Sequence, residues 1–119
     1  MKETPPSYKD LEPVKNHYAG RDYSINIEIP EFNCLCPRTG LPDFATIKID
    51  YVPDSLILEL KSLKLYIVKY RNVGVFHEHV TNQILEDFIK AVSPKRVRIV
   101  GSFNSRGGIQ TDVEASWEK

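Results

Sequence analysis

Cys36, in the stretch Cys34-Leu35-Cys36-Pro37, and Asp43, seven residues further on, have the types and spacing for covalent chemistry. A thiol attacks as its thiolate. At an ordinary pKa near 8.5 only a few per cent is ionised at neutral pH, so such a nucleophile needs activating neighbours. An acid just past a tight turn is a candidate partner for such a cysteine. The plainer readings are a small buried hydrophobe for each cysteine and a strand-start aspartate for Asp43.

Three more clusters carry polar groups. Phe76-His77-Glu78-His79 falls at a helix start, where the dipole alone accounts for an acid such as Glu78. Cysteine and histidine together suggest zinc, but Cys-x-Cys and His-x-His match no standard spacing. Glu59-Leu60-Lys61-Ser62-Leu63-Lys64-Leu65-Tyr66 sets Lys61 and Lys64 three apart on one helix face, either a solvated face or a pair of point charges for phosphate. Ser105-Arg106-Gly107-Gly108 reads as a hairpin turn whose arginine could clamp a phosphate.

The elements that must position these residues follow from periodicity. Residues 1–20, with Pro5, Pro6 and Pro13, read as an extended arm, ordered only where a neighbour holds it. Tyr23 to Phe32 alternates and predicts a strand. A turn-rich loop over 33–42 follows, then a second strand carrying Ala45, Ile47, Ile49 and Tyr51. Pro53-Asp54-Ser55 predicts a helix opening there, capped by Asp54 or Ser55 and running to Tyr70. A second helix starts near Val75 or Phe76 and ends at Ser93-Pro94. Val97 to Phe103 predicts a third strand, 104–108 a turn, and Ile109 to Trp117 a fourth strand. The order ββααββ implies an α+β layout, an antiparallel four-stranded sheet with both helices on one face. Its two open edges suit association between copies.

Composition narrows the function. The chain has 119 residues, 41% hydrophobic and 27% charged, an ordinary mix for one domain. So small a chain buries only about two thirds of its unfolded surface, which favours a site between subunits over a deep cleft in one. Sixteen basic residues balance sixteen acidic ones, without the basic excess of a nucleic-acid-binding domain. No apolar run reaches the ~18 residues of a membrane span, and the N-terminus has no apolar core like a secretory signal. Cys34 and Cys36 on one strand would stand about 6.5–7 Å apart, at the limit for a disulfide. Free thiols and a cytoplasmic location are the expectation.

Taken together, Phe32 to Phe44, Glu59 to Tyr66, Tyr70-Arg71-Asn72 and His77-Glu78 resemble the QueF family over residues 21 to 117, as a single domain of the short type. That family comprises NADPH-dependent 7-cyano-7-deazaguanine reductases, which reduce a nitrile to an aminomethyl group in queuosine synthesis for tRNA. The resemblance implies a tunnelling fold, with subunits side by side in rings, two rings stacked into a decamer and sites between subunits. It implies Cys36 as the nucleophile forming a covalent thioimide and Asp43 as the proton donor. Leu58, Glu59, Leu60, His77 and Glu78 match substrate-binding positions; Lys61, Lys64, Arg106 and Gly107 match positions for the NADPH phosphates. It implies no metal, no direct nucleic-acid partner and no membrane. Leu60 stands where the family usually has serine, and Cys34 where it usually has a hydroxyl or small residue. Other readings are the QueF-like amidinotransferase acting on the base in tRNA, a zinc-dependent cyclohydrolase on the same fold, and a non-catalytic scaffold.

Overall fold

Ile27, Ile29, Ile47, Ile49, Val97 and Ile99 recur at every second position of their segments, and β-branched side chains favour extended backbone. In the computed structural model, which describes residues 4–119, those segments are strands. The elements are β1 (Pro13–Lys15), β2 (Ile25–Leu35), β3 (Pro42–Val52), β4 (Leu56–Leu58), α1 (Leu60–Val68), α2 (His77–Val92), β5 (Arg96–Arg106) and β6 (Ile109–Glu118). Single 3-10 turns span Tyr8–Asp10 and Lys69–Asn72. Strands β2-β3-β5-β6 form one antiparallel sheet in that order. Its inner face packs Ile47, Ile49, Ile99 and Phe103 with Tyr66, Ile84 and Phe88 of the helices in one core. The other face is polar, with ion pairs Lys48–Glu28 at 3.8 Å and Arg98–Asp50 at 3.6 Å.

Three predicted boundaries are corrected. The first strand was expected to stop at Phe32, but β2 continues to Leu35 because Asn33, Cys34 and Leu35 pair with Phe44, Asp43 and Pro42. A bulge at Pro30-Glu31 makes this possible: Ile29 faces Ile47, yet Phe32 faces Ala45, one extra residue on β2. The extra residue switches which parity points inward. Ile25, Ile27 and Ile29 face the core before it; Phe32 and Cys34 do so after it, both fully buried.

The helix expected to open at Pro53-Asp54-Ser55 starts instead at Leu60. The intervening Leu56–Leu58 is drawn into strand pairing with β1, Pro13 opposite Leu58. Asn16 reinforces the pairing, its backbone N–H donating to Ser55 O at 2.9 Å and its side chain to Asp54 O at 2.8 Å. The segment preceding β2 is therefore held along α1 and β4, with Leu11 in the core. Lastly, the turn expected at 104–108 is shorter, because β5 extends to Arg106 and only Gly107 and Gly108, at φ 57° and 81°, reverse the chain.

Gly101 of β5 lies under α2. A Cβ there would stand 2.7 Å from Thr81 Oγ1 and 3.0 Å from Phe103 Cε1. Gly101→Ala is expected to destabilise the fold by about 1–3 kcal/mol through overpacking, read as a lower urea midpoint with unchanged slope.

Candidate active site

Three segments converge at one end of the sheet. After β2, Cys36 opens a tight turn, its N–H donating to Leu41 O at 2.8 Å and its carbonyl accepting from Gly40 N–H at 2.9 Å. Gly40, at φ 73°, supplies the left-handed residue that closes it. The segment before α2 is tied to β2 by Leu35 N–H to Val73 O at 2.9 Å and Val75 N–H to Leu35 O at 3.0 Å. That delivers Phe76, His77 and Glu78 beside the turn. Arg106 arrives from the end of β5. Together Cys36, Asp43, Phe76, His77, Glu78 and Arg106 line an open cleft of about 240 Å³.

The Cys36 thiol is half-buried and its pKa is lowered. The Thr39 hydroxyl contributes most, followed by the backbone N–H groups of Thr39 and Arg38. The sulfur thus occupies a position like a helix N-cap, where successive N–H groups point at an anion. Nearby Asp43 works weakly against this. Cys34 shows the opposite behaviour: desolvation in the core, with help from Asp43, pushes its thiol up to about 11. Two residues apart, one thiol is pulled down and the other pushed up.

Asp43, directly opposite Cys34 in the ladder, is buried on the core side of β3. Its Oδ1 accepts from Arg106 Nε at 3.1 Å, and its Oδ2 stands 3.2 Å from His77 Nε2. The imidazole stacks flat on Phe103, centroids 3.7 Å apart and planes within 5°. Glu78 is exposed at the rim, with Phe76 beside it.

The remaining residues singled out from the sequence stand elsewhere on the chain. Leu58 is in the core, its N–H donating to Tyr51 Oη at 3.1 Å. Glu59 caps α1, its carboxylate accepting from Lys61 N–H at 2.8 Å and Ser62 N–H at 2.6 Å. Those bonds, the one from Ser62 first, lower its pKa. Leu60, Lys61 and Lys64 are exposed along α1, and Leu60 and Lys64 line a groove of about 460 Å³ against Ile29 and Pro30 of β2. Pro30 precedes Cys36 by six residues, about 20 Å of extended strand. Gly107 lies in the β5–β6 turn beside Arg106. A larger cavity of about 490 Å³, at the opposite end of the sheet, is lined by Ser24, Arg96 and Trp117 and contains no cysteine.

Among the described residues no three His, Cys, Asp or Glu side chains are grouped to hold a metal ion. No described helix is long and apolar enough to cross a membrane.

Thr39 and Phe76 were not singled out as site residues. Thr39 was signalled by its place three residues after Cys36 in a Pro- and Gly-bounded turn, the spacing at which a cap meets the third residue of a helix. Phe76 was signalled only by being an aromatic just before a helix start.

A family model described as QueF-like protein matches residues 42–119. The chain belongs to the QueF family. Within it, the chain is 54% identical over 108 residues to the NADPH-dependent 7-cyano-7-deazaguanine reductase of Chloroherpeton thalassium, covering 91% of this chain and 93% of that one. It is 56% identical over 116 residues to the protein of the same name from Nitrosomonas eutropha, covering 98% and 83%. The crystal structure of the archaeosine synthase QueF-Like in the apo form superposes with a TM-score of 0.73 at 22% identity, covering 78% of this chain and 91% of that one. The QueF-family chain thus has the expected α+β tunnelling fold, with four antiparallel strands and two helices on one face.

The Cys36 environment is directly testable. Alkylation by iodoacetamide against pH is expected to have its midpoint below that of an unperturbed thiol. Thr39→Val, which removes the largest lowering contact, is expected to move the midpoint upward. Cys36→Ala is expected to abolish the fast phase, leaving the slow labelling of Cys34.

Proposed function

We propose that this protein is an NADPH-dependent 7-cyano-7-deazaguanine reductase, converting the nitrile to the aminomethyl base in queuosine synthesis by way of a covalent bond to Cys36. The observation that carries this reading is the lowered thiol of Cys36 on a cleft whose buried carboxylate, Asp43, is held by two cationic or polar neighbours. The names borne by relatives more than half identical over nearly the whole chain support it.

The chemistry follows from the groups present. The Cys36 sulfur adds its electron pair to the nitrile carbon, and a carbon–sulfur bond forms as one nitrile π bond opens. The nitrogen takes up the proton that the thiol gave up, and Asp43, oriented by His77, is the donor for the protons the nitrogen gains as hydride is delivered. Glu78 can accept two hydrogen bonds from the aminopyrimidinone edge of the base, and Phe76 offers it an aromatic face. Bound NADPH supplies hydride, and the change from nitrile to amine takes two equivalents. The carbon–sulfur bond breaks between the two hydride additions, its electron pair returning to Cys36, so the thiolate is regenerated and an imine carbon is left to take the second hydride. Lys61 and Lys64, exposed on one face of α1, suit dinucleotide phosphates. Glu59 already occupies the first free N–H groups of that helix, which leaves the ammonium groups as the anion-binding element. The same lysines favour the reductase over the amidinotransferase, and the free thiols suit a reducing cytoplasm.

We further infer that the working site is shared between subunits. A complete small-molecule pocket measures about 300–1,000 Å³, and the Cys36 cleft falls short of that. The substrate and phosphate strip on α1 stands apart from it on the same chain. Edge strands β2 and β6 offer unpaired ladders through which neighbours in a ring, stacked in pairs as a decamer, bring one chain's α1 strip to another's Cys36.

Mixing the protein with 7-cyano-7-deazaguanine alone is expected to raise its intact mass by the full mass of the ligand, with no adduct on Cys36→Ala. Adding NADPH is expected to discharge the adduct with loss of nicotinamide absorbance, two NADPH for each nitrile. A protein that forms no adduct and oxidises no NADPH would overturn the reading.

For the shared site, Cys36→Ala and Lys61→Ala/Lys64→Ala chains are each expected to be inactive alone. Dissociating and reassembling them together is expected to restore a fraction of wild-type turnover, because some sites then draw both halves from intact chains. No recovery in mixed assemblies would place the whole site on one chain.

A further inference from the structure

Arg106 has an assignment from sequence and a different partner in the fold. By resemblance it belongs with the dinucleotide phosphates. Here its guanidinium is committed inward: Nε donates to Asp43 Oδ1 at 3.1 Å and Nη2 donates to the carbonyl of Pro42. We propose that Asp43 and the cofactor phosphates compete for Arg106, so that arrival of the cofactor draws the guanidinium off Asp43 and frees that carboxyl oxygen for proton transfer. This rests on the reductase reading and adds to it a coupling between two halves of the site.

Three observations support the competition. The pair is asymmetric: the Asp43 side chain is 8% exposed and the Arg106 side chain 44%, so only the arginine end is open to an anion approaching from solvent. The arginine sits at the end of β5, where the register with β6 slips between Phe103 and Arg106 before the Gly107-Gly108 turn. Such a strand end can swing without disturbing the core, because residues 104–110 are all exposed. Finally, Asp43 keeps a second partner. His77 Nε2 at Oδ2, with its ring fixed on Phe103, would hold the carboxyl in place when Oδ1 is released. Cys34 and Cys36 are the remaining titratable groups facing Asp43 from β2 and its turn, and Glu78 is the further charge at the cleft.

The chemical consequence is one of available lone pairs. A guanidinium bonded to Asp43 Oδ1 takes up one of that oxygen's lone pairs and the space in front of it, and so competes with the substrate nitrogen for the same oxygen. Arg106 suits both roles because its planar fork pairs equally well with carboxylate and with phosphate. Coupling proton delivery to cofactor arrival keeps the acid from acting before hydride is at hand.

The test is a double-mutant cycle on binding, which needs no turnover. NADP⁺ is titrated by calorimetry at fixed ionic strength into wild type, Asp43→Asn, Arg106→Gln and the double variant. Competition predicts that Asp43→Asn, by releasing Arg106, tightens NADP⁺ binding roughly fivefold, the scale of a partly exposed ion pair. It also predicts that this gain disappears in the Arg106→Gln background. A gain that persists there would be general relief of like charge, and it would overturn the proposal, as would unchanged or weaker binding in Asp43→Asn. Asp43→Ser, which removes the carboxylate with a smaller side chain, must give the same sign. Wild type that binds NADP⁺ and reduces the nitrile but shows an additive cycle refutes only this coupling. Wild type that binds no NADP⁺ and forms no nitrile adduct refutes the reductase reading itself.

Discussion

The antiparallel register between β2 and β3 is the constraint on which the site depends. It sets Cys34 opposite Asp43 and so lodges a carboxylate under the turn that carries Cys36. In a ladder of period two, a slip of one residue sends every side chain to the other face. Asp43 would then lie on the polar face and the buried isoleucines of β3 would lie in water. The register is thus guarded by the core, and the geometry of the cleft inherits that protection. The bulge at Pro30-Glu31 is the other half of the arrangement. It reverses the parity of β2 midway, so that one strand can serve the core with odd-numbered isoleucines and then with Phe32 and Cys34.

The same residue type meets opposite fates on that strand. Cys34, inside the sheet–helix interface, meets apolar neighbours and a carboxylate, both of which disfavour its thiolate. Cys36, one step past the strand, meets a hydroxyl and two N–H groups that favour it. Backbone geometry makes the difference, since the turn closed by Gly40 orients those N–H groups as a helix start would. Asp43 is likewise defined by its surroundings: buried, it has both oxygens met, one by Arg106 and the other by His77.

The strip on α1 is organised from outside the sheet. Glu59 N–H donates to Glu12 O at 3.0 Å, Glu12 N–H donates to Ser62 Oγ at 2.9 Å, and Ser62 Oγ donates to Glu59 O at 2.7 Å. Lys69 adds an ion pair to Asp10 at 2.8 Å. The N-terminal segment thereby fixes the start of α1, the stretch that carries Lys61 and Lys64. Helix, cap and strap form one unit, distant from Cys36 within the chain.

Much of this was legible in the residues. Alternating isoleucines gave the strands, the leucines from Leu60 onward and the run Val80 to Ile89 gave the helices, and the types of Cys36 and Asp43 marked a candidate nucleophile and acid, because periodicity and side-chain type are local properties; the reaction itself came from the resemblance to the QueF family. What local pattern could not give was anything decided by a distant partner. Leu56–Leu58 is helical by its own periodicity and becomes a strand because Pro13–Lys15 offers it a ladder. Asn33 to Leu35 looks like loop and becomes strand because Phe44 to Pro42 pairs with it. Arg106 looks like a phosphate clamp and is found on Asp43, 63 residues away in sequence, because only the folded sheet brings β5 beside β3. Sequence determined which groups are present and on which elements. Tertiary structure decided their partners, since a hydrogen bond or ion pair is a fact about distance in space, and distance is settled only when the chain has closed on itself.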